Sequence, residues 1–473
     1  MIFDTLITGG TLHSASLSAK ADIAISGQTI AAVAAPGSIP RSAASRVIDA
    51  DGMEVIPGCL DVHVHLALPF CGTVSCDDFD SGSRAAAAGC ITTLIDFAIP
   101  SEGRSLADAD AAWHEKSRGR SIVDYAWHLA VTGRRHLDEI RPMIQRGLPT
   151  FKQFMIYESE GWNADDAMLF AALEQVRAGG MLLLHAESPR ILDLLIARHH
   201  TPELMRRSGA MLHALTRPNF IEAEAIERAI HFSRVTDAPL YIVHMSTAQG
   251  ADLVRAARAQ GVPVWAETCA QYLCLDDRVF SRPDGHLFAC CPQVKKPADI
   301  QRLWRGLADE IAVVSTDTCS FTRQQKDMWR TPEGYGDWTR IPMGLPGLDT
   351  LVPIMYTLGV RQGRISMNDL VRLCAAAPAR LMGLGHRKGR IAPGFDADLA
   401  IIDPARTIQV VPQGRDATAT IQSRCDWSPY EGWELGGFAH TTLVRGKTVV
   451  ENHRVCATPG HGVFLSRHTV ARL

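Results

Sequence analysis

The sequence predicts an α/β fold: a (β/α)₈ barrel with a small composite β-sandwich built from both ends of the chain. Two patterns carry this. Between residues 56 and 390, short apolar runs alternate with longer helical patterns, which is the signature of a parallel sheet. At 1–55 and again at 391–473, short β-like runs alternate with turns, as in a small antiparallel sheet.

In chain order, Thr5-Leu6-Ile7-Thr8 runs into Gly9-Gly10, Ile23-Ala24-Ile25 into Gly27, and 29–33 follows. The middle alternates short apolar runs with helical patterns such as 83–88, 167–178, 222–233 and 251–260, enough units to close a TIM-like barrel. The stretch 318–345, rich in Arg, Trp, Pro and Gly, reads as a long loop and as part of a lid. The β grammar returns at 397–402, 407–411 and 441–450 around Gly446.

Bulk properties narrow the function classes. The chain has 473 residues, 46% of them apolar and 21% charged, the mix of a globular protein with an ample core. A formal net charge of −3 argues against nucleic acid or an anionic membrane as the main partner. The N-terminal run carries an acid where a signal peptide wants bases, and no window approaches the roughly 20 unbroken apolar residues of a membrane span. The twelve cysteines are scattered with no CxxC pair, which reads as free thiols in a reducing compartment, so cytoplasm is expected.

The chemistry lies where ionisable residues meet the apolar runs. The run begun at Val55 ends in Asp61-Val62-His63-Val64-His65. Lys152 sits inside Thr150-Phe151-Lys152-Gln153-Phe154, while His185, His244 and Asp317 each close an apolar run. In a β/α barrel the C-terminal strand ends build the active site. The His-x-His pair points both imidazoles to one face, which suits two ligands on one metal and equally a hydrogen-bonded pair of barrel histidines. His185 and His244 singly suit structural roles, and Asp317 suits a helix cap. Together, four histidines and an aspartate at one rim are expensive to bury without a cation. Lys152 either snorkels to water or, desolvated, reacts as a neutral amine with CO₂. The resulting carbamate would bridge two metals.

Longer motifs carry a resemblance. Pro57-Gly58-Cys59-Leu60-Asp61-Val62-His63-Val64-His65, Leu68-Pro69-Phe70-Cys71-Gly72-Thr73, Phe151-Lys152-Gln153-Phe154-Met155 with Tyr157, and His185-Ala186-Glu187 form its first half. Arg217-Pro218 with Glu222, Val243-His244-Met245-Ser246, Glu267-Thr268-Cys269 and Lys388-Gly389 with Asp396-Ala397-Asp398 continue it. Over nearly its whole length the chain resembles the hydantoinase/dihydropyrimidinase branch of the amidohydrolase superfamily. The resemblance implies hydrolytic opening of a cyclic amide such as a hydantoin, dihydropyrimidine or cyclic imide. It implies two divalent metals, usually zinc, with His63 and His65 on one and His185 and His244 on the other. Carboxylated Lys152 would bridge them, with Asp317 as ligand of the first and general base. Tyr157 would donate to the oxyanion, and the assembly would be a homotetramer.

The chain departs from the family on the substrate side. Asp317-Thr318-Cys319 replaces Asp-His-Cys, Cys291-Pro292-Gln293-Val294-Lys295 replaces Ser-Pro-Pro-Leu-Arg, and Pro342-Met343-Gly344 replaces Pro-Asn-Gly. The family holds its ring there largely through backbone atoms, so Cys291 and Met343 are the expected substrate contacts. A non-catalytic scaffold relative is disfavoured because all six ligand positions are filled. Dihydroorotase-like chains place an arginine where Ala67 stands, and allantoinases differ at Leu66-Ala67-Leu68-Pro69-Phe70. An allantoinase-like or other amide hydrolase remains the rival reading.

Overall fold

The computed structural model describes residues 2–414 and 419–470. Residues 1, 415–418 and 471–473 of the two expected sandwich segments therefore lie outside the described residues. Eight strands form one parallel sheet in sequence order: β1 (Cys59–Val64), β2 (Ile91–Ala98), β3 (Asp124–Ala130), β4 (Thr150–Phe154), β5 (Met181–His185), β6 (Leu240–Ile242), β7 (Val264–Cys269) and β8 (Ile311–Ser315). β2, β3, β5 and β7 are buried at every residue, as strands covered on both faces must be. The sheet curls until its ends meet. Val64 bridges Thr318 in parallel, and the Thr316 N–H and hydroxyl donate to the Asp61 carboxylate at 3.2 and 2.5 Å.

Helices cover the outside and start at local signals. The helix Phe79–Ala88 begins where Asp78 accepts from the Asp80 and Ser81 N–H groups while the Ser81 hydroxyl accepts from the Asp78 N–H. It packs on β2. The 318–345 stretch is broken by short helical turns at Arg323–Lys326, Asp327–Trp329 and Trp338–Arg340, pinned by the buried rings of Trp329 and Trp338.

The apolar run from Val55 to His65 is two strands in two sheets. Glu54–Pro57 pairs antiparallel with Leu399–Ile402, whereas β1 belongs to the barrel. Gly58 sits at the break because a Cβ there would lie 2.2 Å from the Thr92 hydroxyl oxygen. The seven-stranded sheet runs 454–455, 447–451, 439–444, 399–402, 54–57, 11–13, 18–20, mixing both chain ends. A four-stranded sheet from residues 3–49 packs over it. Alternation along the shared strand explains the layering: Leu399 and Ile401 join the core between the two sheets, and Ala400 and Ile402 join the barrel core. In the 407–411 run only Ile408–Gln409 forms a strand, and it pairs with Glu434–Leu435 outside the seven-stranded sheet.

A buried ion cluster ties barrel to sandwich. Lys388 Nζ lies 2.6 Å from Asp124 on β3, 2.6 Å from Asp398 and 3.0 Å from Asp396, and Arg445 adds a second cation 3.0 Å from Asp124. The three acids are spaced as metal ligands are, but the Lys388 ammonium takes the cation's place.

Candidate active site

The barrel's C-terminal rim gathers the expected residues. His63 and His65 leave β1 on one face, with ring centroids 5.3 Å apart. Asp317, two residues beyond β8, puts one carboxylate oxygen 3.2 Å from His63 Nε2 and 3.3 Å from His65 Nε2. His185 ends β5 and His244 follows β6, their rings 4.5 Å apart. His63, His244 and Asp317 each offer a ligand atom within 4.8 Å of the others, so the tightest trio draws on both expected histidine pairs. Lys152, at the middle of β4 and 1% exposed, aims its amine between the rings of Phe97 and Phe154 at 5.0 and 5.1 Å. It does not snorkel.

Electrostatics favour the ligand forms. Burial holds His63 and His244 well below the ordinary imidazole value, reinforced by Lys152 at His63 and by His185 at His244. Burial also lowers His185, against the pull of Glu187. A neutral imidazole is the form that binds a metal. Burial pushes Lys152 down to about 7, against the pull of Asp317, so near neutrality much of it is free amine. His65 Nδ1 and His244 Nδ1 are buried without a hydrogen-bond partner among the described residues. These orphaned nitrogens, four converging imidazoles, a carboxylate and an amine able to become a carbamate fit divalent cations of the zinc type.

Two glutamates, quoted in the sequence motifs without a role, orient the histidines. Glu267 on β7, fully buried, bonds His63 Nδ1 and accepts from the His244 N–H at 3.2 Å and the Tyr241 hydroxyl at 3.0 Å. Glu187 lies 2.7 Å from His185 Nε2 and has Arg217 3.8 Å away. The available signal was a charged residue inside an otherwise apolar strand, Val264-Trp265-Ala266-Glu267. Tyr157, His244 and Asp317 all carry positive φ (72°, 40° and 51°), conformations that cost about 1–3 kcal/mol each and cluster at functional sites.

The cluster opens into a chamber of about 530 Å³. Phe70, Tyr157, Cys291 and Met343 line both the chamber and the inner end formed by the histidines, Lys152 and Asp317. Its walls are largely apolar, with Ile156, Leu192, Ile196 and Ile341 among them. Phe70 stacks on Trp162 at 5.4 Å and meets Tyr157 edge-on at 5.3 Å. Burial raises the Tyr157 phenol well above its usual value, so it stays a hydrogen-bond donor. The site thus unites all nine sequence-predicted residues.

Residues 55–449 match the sequence model of the amidohydrolase family. The chain belongs to that family. A D-hydantoinase of Streptomyces coelicolor is 37% identical over 474 residues, covering 98% of each chain. A D-phenylhydantoinase of Escherichia coli is 36% identical over 468 residues, again covering 98% of each. The crystal structure of a dihydropyrimidinase from Brevibacillus agri superposes with a TM-score of 0.92 at 34% identity, over 99% of this chain and all of that one. These relatives place this amidohydrolase in the hydantoinase/dihydropyrimidinase branch, and their folds are barrels like this one.

Proposed function

We propose that this amidohydrolase opens a cyclic amide ring, that of a hydantoin, dihydropyrimidine or related imide, to an N-carbamoyl amino acid or equivalent acid. The observation that carries the reading is the buried lysine amine inside a ring of four imidazoles and one carboxylate, at the floor of an apolar chamber. In this reading His63, His65 and Asp317 would hold one ion and His185 and His244 the other, with N6-carboxylated Lys152 as a ligand to both. Two divalent cations, zinc by family resemblance, would supply Lewis acidity to the ring carbonyl and lower the pKa of the attacking water.

The chain's own residues do the rest. Asp317 accepts the water's proton and returns it to the departing ring nitrogen. The Tyr157 hydroxyl, a protonated donor at neutral pH, faces the developing oxyanion. Main chain at Cys291 and Met343 holds the ring's amide edge, so a cysteine and a methionine serve there as well as polar side chains. The chamber, of a size usual for small-molecule sites, takes an apolar ring substituent.

The domain reading divides 1–55 and 391–473 from the barrel at 56–390, and the assembly is read as a homotetramer. Among the described residues no helix is long and apolar enough to cross a membrane, and the cysteines are free, in keeping with a cytoplasmic setting.

The test is ring opening by zinc-loaded protein on hydantoin, 5-substituted hydantoins, dihydrouracil, allantoin, dihydroorotate and a cyclic imide, with and without chelator. Chelator-sensitive turnover of a hydantoin, dihydropyrimidine or imide is expected. Turnover confined to allantoin favours the allantoinase-like reading, and turnover of none refutes ring opening.

A further inference from the structure

One buried cation near the chamber has no part in the chemistry above. Lys326, on the short turn Arg323–Lys326, is fully buried and has no carboxylate partner among the described residues. The groups around it are the thiols of Cys71, Cys290, Cys319 and Cys425, which burial keeps protonated and neutral, with the Phe321 ring 5.9 Å away. Burial lowers its amine to about 8. A methionine would fill similar space without the cost of desolvating an ammonium, so stability does not explain a lysine here.

Its one hydrogen bond explains it better. Lys326 Nζ donates to the Ala289 carbonyl at 2.8 Å, and the Gly344 N–H donates to the same oxygen at 2.9 Å. The neighbouring carbonyls are also taken: His213 Nε2 bonds Cys290 O at 2.8 Å, and the Tyr272 hydroxyl donates to Pro292 O at 2.6 Å. Between them, the Cys291 carbonyl accepts no hydrogen bond from any described residue. Side chains thus fix the backbone on both sides of the one carbonyl left for a ligand. Gly344 is also packed tightly against Cys319, since a Cβ there would lie 2.3 Å from the Cys319 carbonyl oxygen.

We infer that Lys326 is a positioning residue that joins segment 289–292 to Gly344 and aims the Cys291 carbonyl at the ring N–H of the substrate. This rests on the ring-opening reading. Lys326 touches neither the ligand cluster nor the reacting atoms, so its loss weakens ground state and transition state alike.

The experiment compares zinc-loaded wild type with K326M and K326R. For each it reads bound metal, melting temperature, kcat, KM and the calorimetric Kd of the carbamoyl product. For K326M we expect full metal content and a melting temperature at or above wild type. We also expect KM and product Kd raised about tenfold or more, with kcat within about threefold. K326R keeps a donor for the Ala289 carbonyl and should recover part of the binding loss. The inference is overturned if K326M binds and turns over like wild type, or if its KM changes only alongside lost metal. An unfolded K326M would also overturn it, because the lysine would then be structural. Wild-type turnover with unshifted K326M sinks this inference alone; no wild-type turnover on any ring sinks the ring-opening reading with it.

Discussion

Glu267→Gln tests whether the carboxylate behind the histidines tunes the metal centre. Glu267 Oε1 receives two bonds, from the His63 imidazole and the His244 N–H, while Oε2 receives the Tyr241 hydroxyl. Glutamine keeps the volume and can keep all three contacts, with its nitrogen turned to the tyrosine oxygen. What it removes is the charge Glu267 would carry once cations fill the site, since burial alone raises its carboxyl to about 8 against the pull of Lys152. A hydrogen bond to a charged partner contributes roughly 1.5–3 kcal/mol net and a neutral one roughly 0.5–1.5. Exchanging carboxylate for amide therefore removes about 1–1.5 kcal/mol at each of the two Oε1 bonds. The total of about 2–3 kcal/mol corresponds to roughly 30- to 140-fold, which overlaps the 10- to 100-fold typical of outer-shell ligand partners. The loss falls on metal affinity, because a less basic His63 is a poorer ligand. The assay is metal content by mass spectrometry across a chelator titration, with circular dichroism to show that the fold persists. Metal retention within threefold of wild type in a folded variant would refute the reasoning.

Three further outcomes are expected. Tyr157→Phe keeps the ring contacts with Phe70 and His185 at 5.3 Å each but loses the hydroxyl; kcat should fall about 10²- to 10³-fold with the melting temperature unchanged, and a smaller loss in steady-state assays would remove Tyr157 from the oxyanion. Carbamate formation needs unprotonated Lys152, whose amine is lowered to about 7, so at constant dissolved CO₂ the zinc-dependent reactivation of decarboxylated apoprotein should speed up as pH rises through about 7; a rate flat between pH 6 and 8 would contradict this. Lys388→Met leaves Asp124, Asp396 and Asp398 buried with Arg445 as the remaining cation at Asp124, and should cost about 3–5 kcal/mol in urea unfolding; a loss under 1 kcal/mol would mean the cluster is not what joins barrel and sandwich.

The barrel and the gathering of ionisable side chains at its rim were legible because they depend on local order. An apolar run names a strand, its end lies at the rim, and His63, His65, His185, His244 and Asp317 all sit within two residues of such an end. Lys152 was legible for the opposite reason, as a charge at the middle of an apolar run. What escaped depends on contacts between distant parts. The Val55–His65 run looked continuous, and only the approach of Thr92 to Gly58 marks the change of sheet. Glu267 reaches His63 across 204 residues, and Glu187 gains its meaning from Arg217 and from a ring two residues away. The short turns within 318–345 rest on buried Trp329 and Trp338, a packing that periodicity does not register.

The sheet that mixes both termini also sets a timetable. Strand Glu54–Pro57 is flanked by Leu399–Ile402, made about 345 residues later. At the roughly 5–20 residues per second of synthesis, that edge waits on the order of 20–70 s for its partner. During that interval Val55 and Ile56, both fully buried in the finished protein, face water or a chaperone. The barrel strands can pair with their successors as they emerge, whereas the sandwich closes only after almost the entire polypeptide has left the ribosome. Yield in the cell should therefore respond more to elongation rate and chaperone supply than to the equilibrium stability of the folded enzyme.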